Sequence, residues 1–128
     1  MTVGEALQTV NRFYEAWTRK LDGLDEIAKL VDEEMTFTGP LMTTRGRQQY
    51  LDVIGQFLPA HGGFEFLRQF ENGDEVCSIY ETSVNAPDGS TLRLPVADWT
   101  RLADGRIVEQ RIYYDPREFA AVFGMDGA

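Results

Sequence analysis

Residues 62–84, GGFEFLRQFENGDEVCSIYETSV, mark the point where the pattern of the chain changes. Before them, apolar side chains recur every three or four residues. From Gly62 onward they alternate with polar ones, and a period of two is that of a half-buried strand. Asn72-Gly73 sits between two alternating runs as a tight hairpin turn, and Pro87-Asp88-Gly89 and Asp104-Gly105 repeat the signal downstream. These turns divide the second half of the chain into four strands, about 64–71, 75–84, 90–102 and 106–114, joined as an antiparallel meander.

Working back from that boundary, the first half reads as helices. Ala6, Val10, Phe13, Tyr14 and Trp17 recur at helical spacing and predict a helix over about 3–18, opened by the Thr2-x-x-Glu5 form of a capping box. Asp22-Gly23 breaks it, and Leu24, Ile27, Ala28, Leu30 and Val31 give a shorter second helix. Met35 to Thr38 predict a short strand stopped by Gly39-Pro40, and a loop through Thr43, Thr44 and Arg45 leads to a third helix over about 46–58, ended by Pro59. Pro116 opens a final helical segment with Phe119, Val122 and Phe123, which Gly124 ends. Helices first and a long sheet afterwards make the class α+β, with the helices gathered on one face of the sheet.

Length and charge set the outer limits. A chain of 128 residues with 43% hydrophobic side chains buries a core as one domain, 1–128. Twelve Lys and Arg against 21 Asp and Glu leave a net charge of -9, which disfavours nucleic acid and anionic membrane partners. No apolar run reaches the length of a membrane span. Cys77 is the only cysteine and His61 the only histidine, so no disulfide, thiolate cluster or two-histidine metal site is expected. With no phosphate loop or dinucleotide fingerprint, no cofactor is expected either. The single thiol and the lack of a secretory pattern point to a cytoplasmic protein.

Strand parity shows which polar residues sit on apolar faces. On the third long strand Leu92, Leu94, Val96, Asp98, Thr100 and Leu102 share one face, where Asp98 is the only ionisable group. Two readings are open: Asp98 pairs with an arginine, or it is a desolvated general acid or base facing a pocket. Val76, Ser78, Tyr80 and Thr82 on one neighbour, and Val108, Gln110, Ile112 and Tyr114 on the last strand, mix apolar bulk with neutral hydrogen-bonding groups, as a small-molecule cavity does. The opposite faces gather Glu81, Trp99, Arg101, Glu109, Arg111 and Tyr113, a surface suited either to solvent or to a homodimer. His61 reads most simply as a solvated loop residue, with a weaker catalytic alternative. Cys77 reads as a packed thiol, and Asp32-Glu33-Glu34 as a solvated loop. Tyr14, Trp17 and Phe37 fit either the core or a cavity mouth.

Several stretches carry a family resemblance: Phe13-Tyr14-Glu15-Ala16-Trp17, Phe37-Thr38-Gly39-Pro40, Thr44-Arg45-Gly46-Arg47, Asp98-Trp99, and Asp104-Gly105-Arg106-Ile107 leading to Tyr113-Tyr114-Asp115-Pro116. In this order the chain resembles the SnoaL-like polyketide cyclase family, within the superfamily of nuclear transport factor 2 and the ketosteroid isomerases. The resemblance implies three N-terminal helices packed in the concave face of a strongly curved, mostly antiparallel sheet, a cone-shaped, cystatin-like α+β barrel with a short C-terminal helix. Isomerase-like members join a helix Tyr, a basic Asp and a protonated sheet Asp. Asp98 matches the last, but the first two positions fall at Phe13 and Gly39, and Tyr14 stands about 100° round the helix from Phe13. In epoxide hydrolase-like members a second Asp would fall near Ile112. The resemblance therefore implies single-carboxylate acid/base chemistry by Asp98 on an apolar carbonyl compound. Tyr80, Gln110, Tyr114 and His61 would orient its oxygens, and Trp17, Phe37, Leu94 and Val96 would wall it in. The alternatives are a non-catalytic binder of a hydrophobic ligand and a dimeric scaffold of the same fold.

Overall fold

Ala6, Val10, Phe13 and Tyr14 are buried along one side of a helix, α1 (Glu5–Thr18), as their spacing requires. The computed structural model describes residues 4–124. After α1 a short 3-10 turn (Lys20–Gly23) leads to α2 (Leu24–Leu30). At Gly23 a Cβ would stand 1.8 Å from the Ala16 carbonyl oxygen, so only glycine lets the turn pass this close to α1. The remaining elements are β1 (Val31–Thr38), β2 (Thr43–Arg45), α3 (Arg47–Phe57), a 3-10 turn (Leu58–Ala60), β3 (His61–Asn72), β4 (Glu75–Asn85), β5 (Thr91–Ala103), β6 (Arg106–Tyr113) and α4 (Arg117–Val122).

The six strands form one sheet in the order β2-β1-β6-β5-β4-β3. Among the described residues β1 and β6 run parallel, and the other strand pairs are antiparallel. The meander expected of the second half is therefore present, with β1 and β2 added at the β6 edge. Asp104 and Gly105 both have positive φ, 52° and 77°, the geometry that joins β5 to β6 in a two-residue hairpin. The fold is α+β, with three helices against the concave face of a curved sheet and a short helix at the end. The buried residues Val76, Tyr80, Leu94, Val96 and Leu102 on the sheet meet Val10, Phe13, Ile27 and Ile54 from the helices in one core.

The structure departs from the sequence reading at places where pairing overrides local pattern. Thr43 to Arg45 form a strand rather than a loop, because Thr44 opposite Phe37 continues the ladder of β1. Asp32, Glu33 and Glu34 belong to β1 rather than a loop, in a stretch where the pairing with β6 shifts between Val31 and Thr36. A second irregularity falls opposite the step from Arg101 to Leu102. It makes Val108 the extra residue of β6 and turns Ile107 inward in its place. Cys77 is half-buried on the outer face, in a row Phe70, Cys77, Trp99 and Arg111 across four strands.

Thr2, the proposed cap of the first helix, lies outside the described residues. The start of α1 is held instead from a distance. The Glu71 carboxylate, on edge strand β3, accepts from the Gly4 and Leu7 amides, both at 2.8 Å. A carboxylate on free amides at a helix start satisfies both the hydrogen bonds and the helix dipole. Replacing it, Glu71→Ala, should lower the unfolding free energy by about 1–2 kcal/mol in urea titration. Glu71→Gln, which keeps one acceptor, should lose less; equal stability of all three proteins would show that the cap contributes nothing.

Candidate functional site

The alternation of β5 delivers Asp98 to the concave face, where it is fully buried. Across the ladders it lies opposite Ser78 on β4 and Ile112 on β6. Its oxygens are met by neutral donors. The Tyr80 hydroxyl donates to Oδ2 at 2.8 Å, and the Gln110 amide nitrogen spans Oδ1 and Oδ2 at 3.1 and 3.0 Å. Thr100 adds a longer contact to Oδ1 at 3.4 Å. Among the described residues no Arg or Lys pairs with it, so the arginine-pair reading falls away. Burial pushes the Asp98 carboxyl above the usual carboxylate range, and the nearby Tyr14 hydroxyl together with donation from Gln110 and Tyr80 offsets part of that rise.

Gln110 is itself oriented. The Tyr50 hydroxyl on α3 donates to its Oε1 at 3.2 Å, which leaves the amide nitrogen for the carboxylate. Tyr50 was absent from the sequence reading, although Tyr50, Ile54 and Phe57 follow helical spacing and two of the three are buried. Tyr14, which the sequence leaves open between core and cavity mouth, stands at the cavity. Its ring lies against Tyr80, at 5.6 Å between centroids, and the residue lines the same cavity as Asp98 with its hydroxyl buried. A helical face is wide enough to turn both Phe13 and Tyr14 inward. The Tyr14 hydroxyl is near enough to Asp98 and Ser78 to respond to both, but neither contact has hydrogen-bond geometry, so it is an unpaired donor. Burial raises the pKa of Tyr14, Tyr50 and Tyr80 well above the ordinary phenol value, which keeps all three protonated.

Beyond the carboxylate, a cavity of about 420 Å³ opens between the sheet and the helices. Asp98, Tyr80 and Gln110 form its polar floor. Trp17, Phe37, Leu94 and Val96 stand around it as apolar wall, and Tyr114 lines it from the end of β6. The structure thus brings all of these sequence candidates to one space. Phe57, Phe64, Phe119 and Phe123 join them, the last two from α4 and its end; their role in the wall was not anticipated.

His61 lines this cavity too, but not as a solvated loop residue. It opens β3, is buried, and packs between Trp17 and Phe64 at ring distances of 5.3 and 4.5 Å. Thr82 donates its hydroxyl hydrogen to the Gly63 carbonyl at 2.8 Å, so toward His61 Nε2, also at 2.8 Å, it can only accept. That assigns the proton to Nε2 and leaves Nδ1 as an acceptor. Burial, with the charge of Lys20, lowers the His61 pKa to about 4, so the ring is neutral at pH 7. Thr82 is four residues along β4 from Ser78, which puts this station roughly 13 Å from the level of Asp98.

Comparison with known proteins adds the family context. The SnoaL-like domain family matches residues 10–110. No curated protein matches the chain. Among solved structures, an NTF2-like protein of unknown function from Burkholderia pseudomallei K96243 is 22% identical, with a TM-score of 0.81 over 95% of this chain and 98% of that one. A candidate SnoaL-like polyketide cyclase from Jannaschia sp. CCS1 is 16% identical, with a TM-score of 0.80 over 97% and 94%. TerC, co-crystallised with polyporic acid, is 15% identical, with a TM-score of 0.79 over 94% and 98%. At these identities the likeness is one of fold.

An acid whose folded-state pKa is raised binds its proton more tightly in the folded chain. The stability linked to that proton is present below the ordinary Asp range and is lost as pH rises toward the raised value. The difference in unfolding free energy between the parent and Asp98→Asn isolates this group from the surface carboxylates. We expect the parent's relative stability to fall as pH rises above the ordinary Asp range of about 4, with a slope approaching about 1.4 kcal/mol per unit at its steepest. A pH-independent difference would mean that Asp98 titrates alike in both states.

Proposed function

The chain belongs to the SnoaL-like domain family, and we propose that it takes a small, largely apolar carbonyl compound into its cavity and uses Asp98 as general acid and base. The observation that carries this reading is a fully buried carboxylate on the cavity floor, held by Tyr80 and Gln110 without a cation. No cation in such a site locks the carboxylate in its charged form, so it can exchange a proton with a bound molecule. In the step we propose, ionised Asp98 removes a proton from the carbon beside the ligand carbonyl and the electron pair moves onto the carbonyl oxygen. Tyr14, a protonated donor at the same floor, stabilises that oxygen. Asp98 then returns the proton to the oxygen or to another carbon.

The rest of the cavity supports one carboxylate rather than two. Gly39 and Ile112, the positions where related chemistries would place a second acid, both line the space. At Gly39 a Cβ would meet Ile112 Cγ1 and the Phe37 ring at 3.3 Å, so that side of the cavity is closed by apolar atoms. The volume suits a molecule of two or three fused rings.

Solvent-deuterium uptake beside the carbonyl of tetralone, followed by NMR, tests the chemistry without knowledge of the natural substrate. The parent protein should accelerate the exchange. Asp98→Asn should bind tetralone but lose about a hundredfold or more of the acceleration. Binding without acceleration in the parent would favour the non-catalytic ligand-binding reading.

We also propose that two copies associate through the outer sheet face. Phe70 and Tyr113 are 58% and 59% exposed there. Around them Arg93 pairs with Glu65 and Glu81, and Glu109 with Arg101 and Arg111. A second copy could meet this face with little of the repulsion expected from a net charge of -9. Sedimentation at micromolar concentration should show a dimer that Tyr113→Glu weakens; a monomeric parent would retire the idea.

A further inference from the structure

Among the described residues, two buried donors beside the cavity have no hydrogen-bond partner: the Tyr14 hydroxyl and the Trp17 indole N–H. A buried donor left unpaired costs about 1–3 kcal/mol, and both groups belong to side chains that line the cavity. They are three residues apart on α1, so they lie side by side on one face of the helix. They also reach different points of the floor. Tyr14 stands by Asp98, whereas the Trp17 indole stands by the Tyr50 hydroxyl without a hydrogen-bond geometry to it. Tyr50 donates to one end of the Gln110 amide and the other end of that amide donates to Asp98, so the two points are separated by a single planar group.

We infer that Trp17 is a specificity-determining residue: together with Tyr14 it selects a flat ligand bearing two acceptor oxygens along one edge, Tyr14 O–H donating to one and Trp17 N–H to the other. The inference rests on the carbonyl-binding reading above and names the class of molecule. A ligand with a single carbonyl satisfies Tyr14 and leaves the indole hydrogen without an acceptor in hydrogen-bond geometry. A carboxylate is disfavoured by like charge, since Asp98 shares the floor and no Lys or Arg lines the cavity among the described residues. The class that remains is a neutral, unsaturated dicarbonyl or hydroxycarbonyl compound, its rings between aromatic walls such as Phe37 and Phe64.

Dimethylindanone, with one carbonyl oxygen, and dimethylindanedione, with a second on the same edge, provide a matched pair with no exchangeable hydrogen between the carbonyls of the dione. Calorimetric titration should find the dione the tighter ligand. Trp17→Phe should weaken it about tenfold while leaving the mono-ketone within about twofold, and Tyr14→Phe should weaken both. A second measurement needs no substitution. The chain has two tryptophans, and Trp99 Nε1 already donates to Glu75 at 2.9 Å on the outer face. In the nitrogen-proton NMR spectrum the dione should move the Trp17 indole signal downfield and leave that of Trp99 in place, while the mono-ketone should leave both. If both ketones bind but Trp17→Phe affects them equally, or the indole signal does not respond to the dione, the inference fails and the pocket reading stands. If the parent binds neither, the pocket reading fails and takes the inference with it.

Discussion

A carboxylate with no cation beside it, buried at the centre of the concave face, sets the terms for the rest of the molecule. Taking Asp98 out of water carries a large penalty, and the fold meets it with neutral donors from two strands rather than with an ion pair. An arginine in this place would have fixed the charge and filled the space. Tyr80 and Gln110 satisfy the oxygens while leaving the proton equilibrium free to respond to a bound molecule. Gln110 can do this only because Tyr50 holds the far end of its amide, so a helix residue decides which atom a strand residue offers to the acid.

What the sequence discloses of this arrangement follows from how regular each element is. Strand β5 alternates without interruption from Leu92 to Leu102, and its parity alone places Asp98 among apolar neighbours. Strand β6 carries an extra residue, and there a reading by strict alternation puts Val108 where Ile107 belongs. The cue for a bulge is tertiary, since the extra residue is absorbed by pairing on both sides of β6. His61 shows the same limit in another form. Two glycines follow it and a proline precedes it, a composition that reads as an exposed connection, yet the pairing of His61 with Val84 draws it into the wall of the cavity.

Tyr14 and Trp17 were harder to place because a helix period gives a direction but not a depth. Both lie on the apolar stripe of α1, and an apolar stripe looks the same whether it meets packed side chains or an open space. What distinguishes them is the polar atom at each tip, which a filled core would pair and which here stays unpaired. The same pattern separates Phe13, fully satisfied by packing, from its neighbour Tyr14.

The site is divided between the two layers, and this gives the distant contacts of α1 a functional consequence. The sheet contributes the acid and the donors bonded directly to it, Tyr80 and Gln110. The helices contribute the two donors left unpaired among the described residues, Tyr14 and Trp17 from α1, and the hydroxyl of Tyr50 that orients the amide. Neither half alone makes a site. The position of α1 over the sheet is fixed by Glu71 at its start and by the close passage of Gly23 near its end. A shift of the helix by even one ångström would move both open donors together relative to Asp98, which rides on the stiffer sheet. Residues far from the cavity and without chemistry of their own therefore set the spacing between the two α1 donors and the carboxylate.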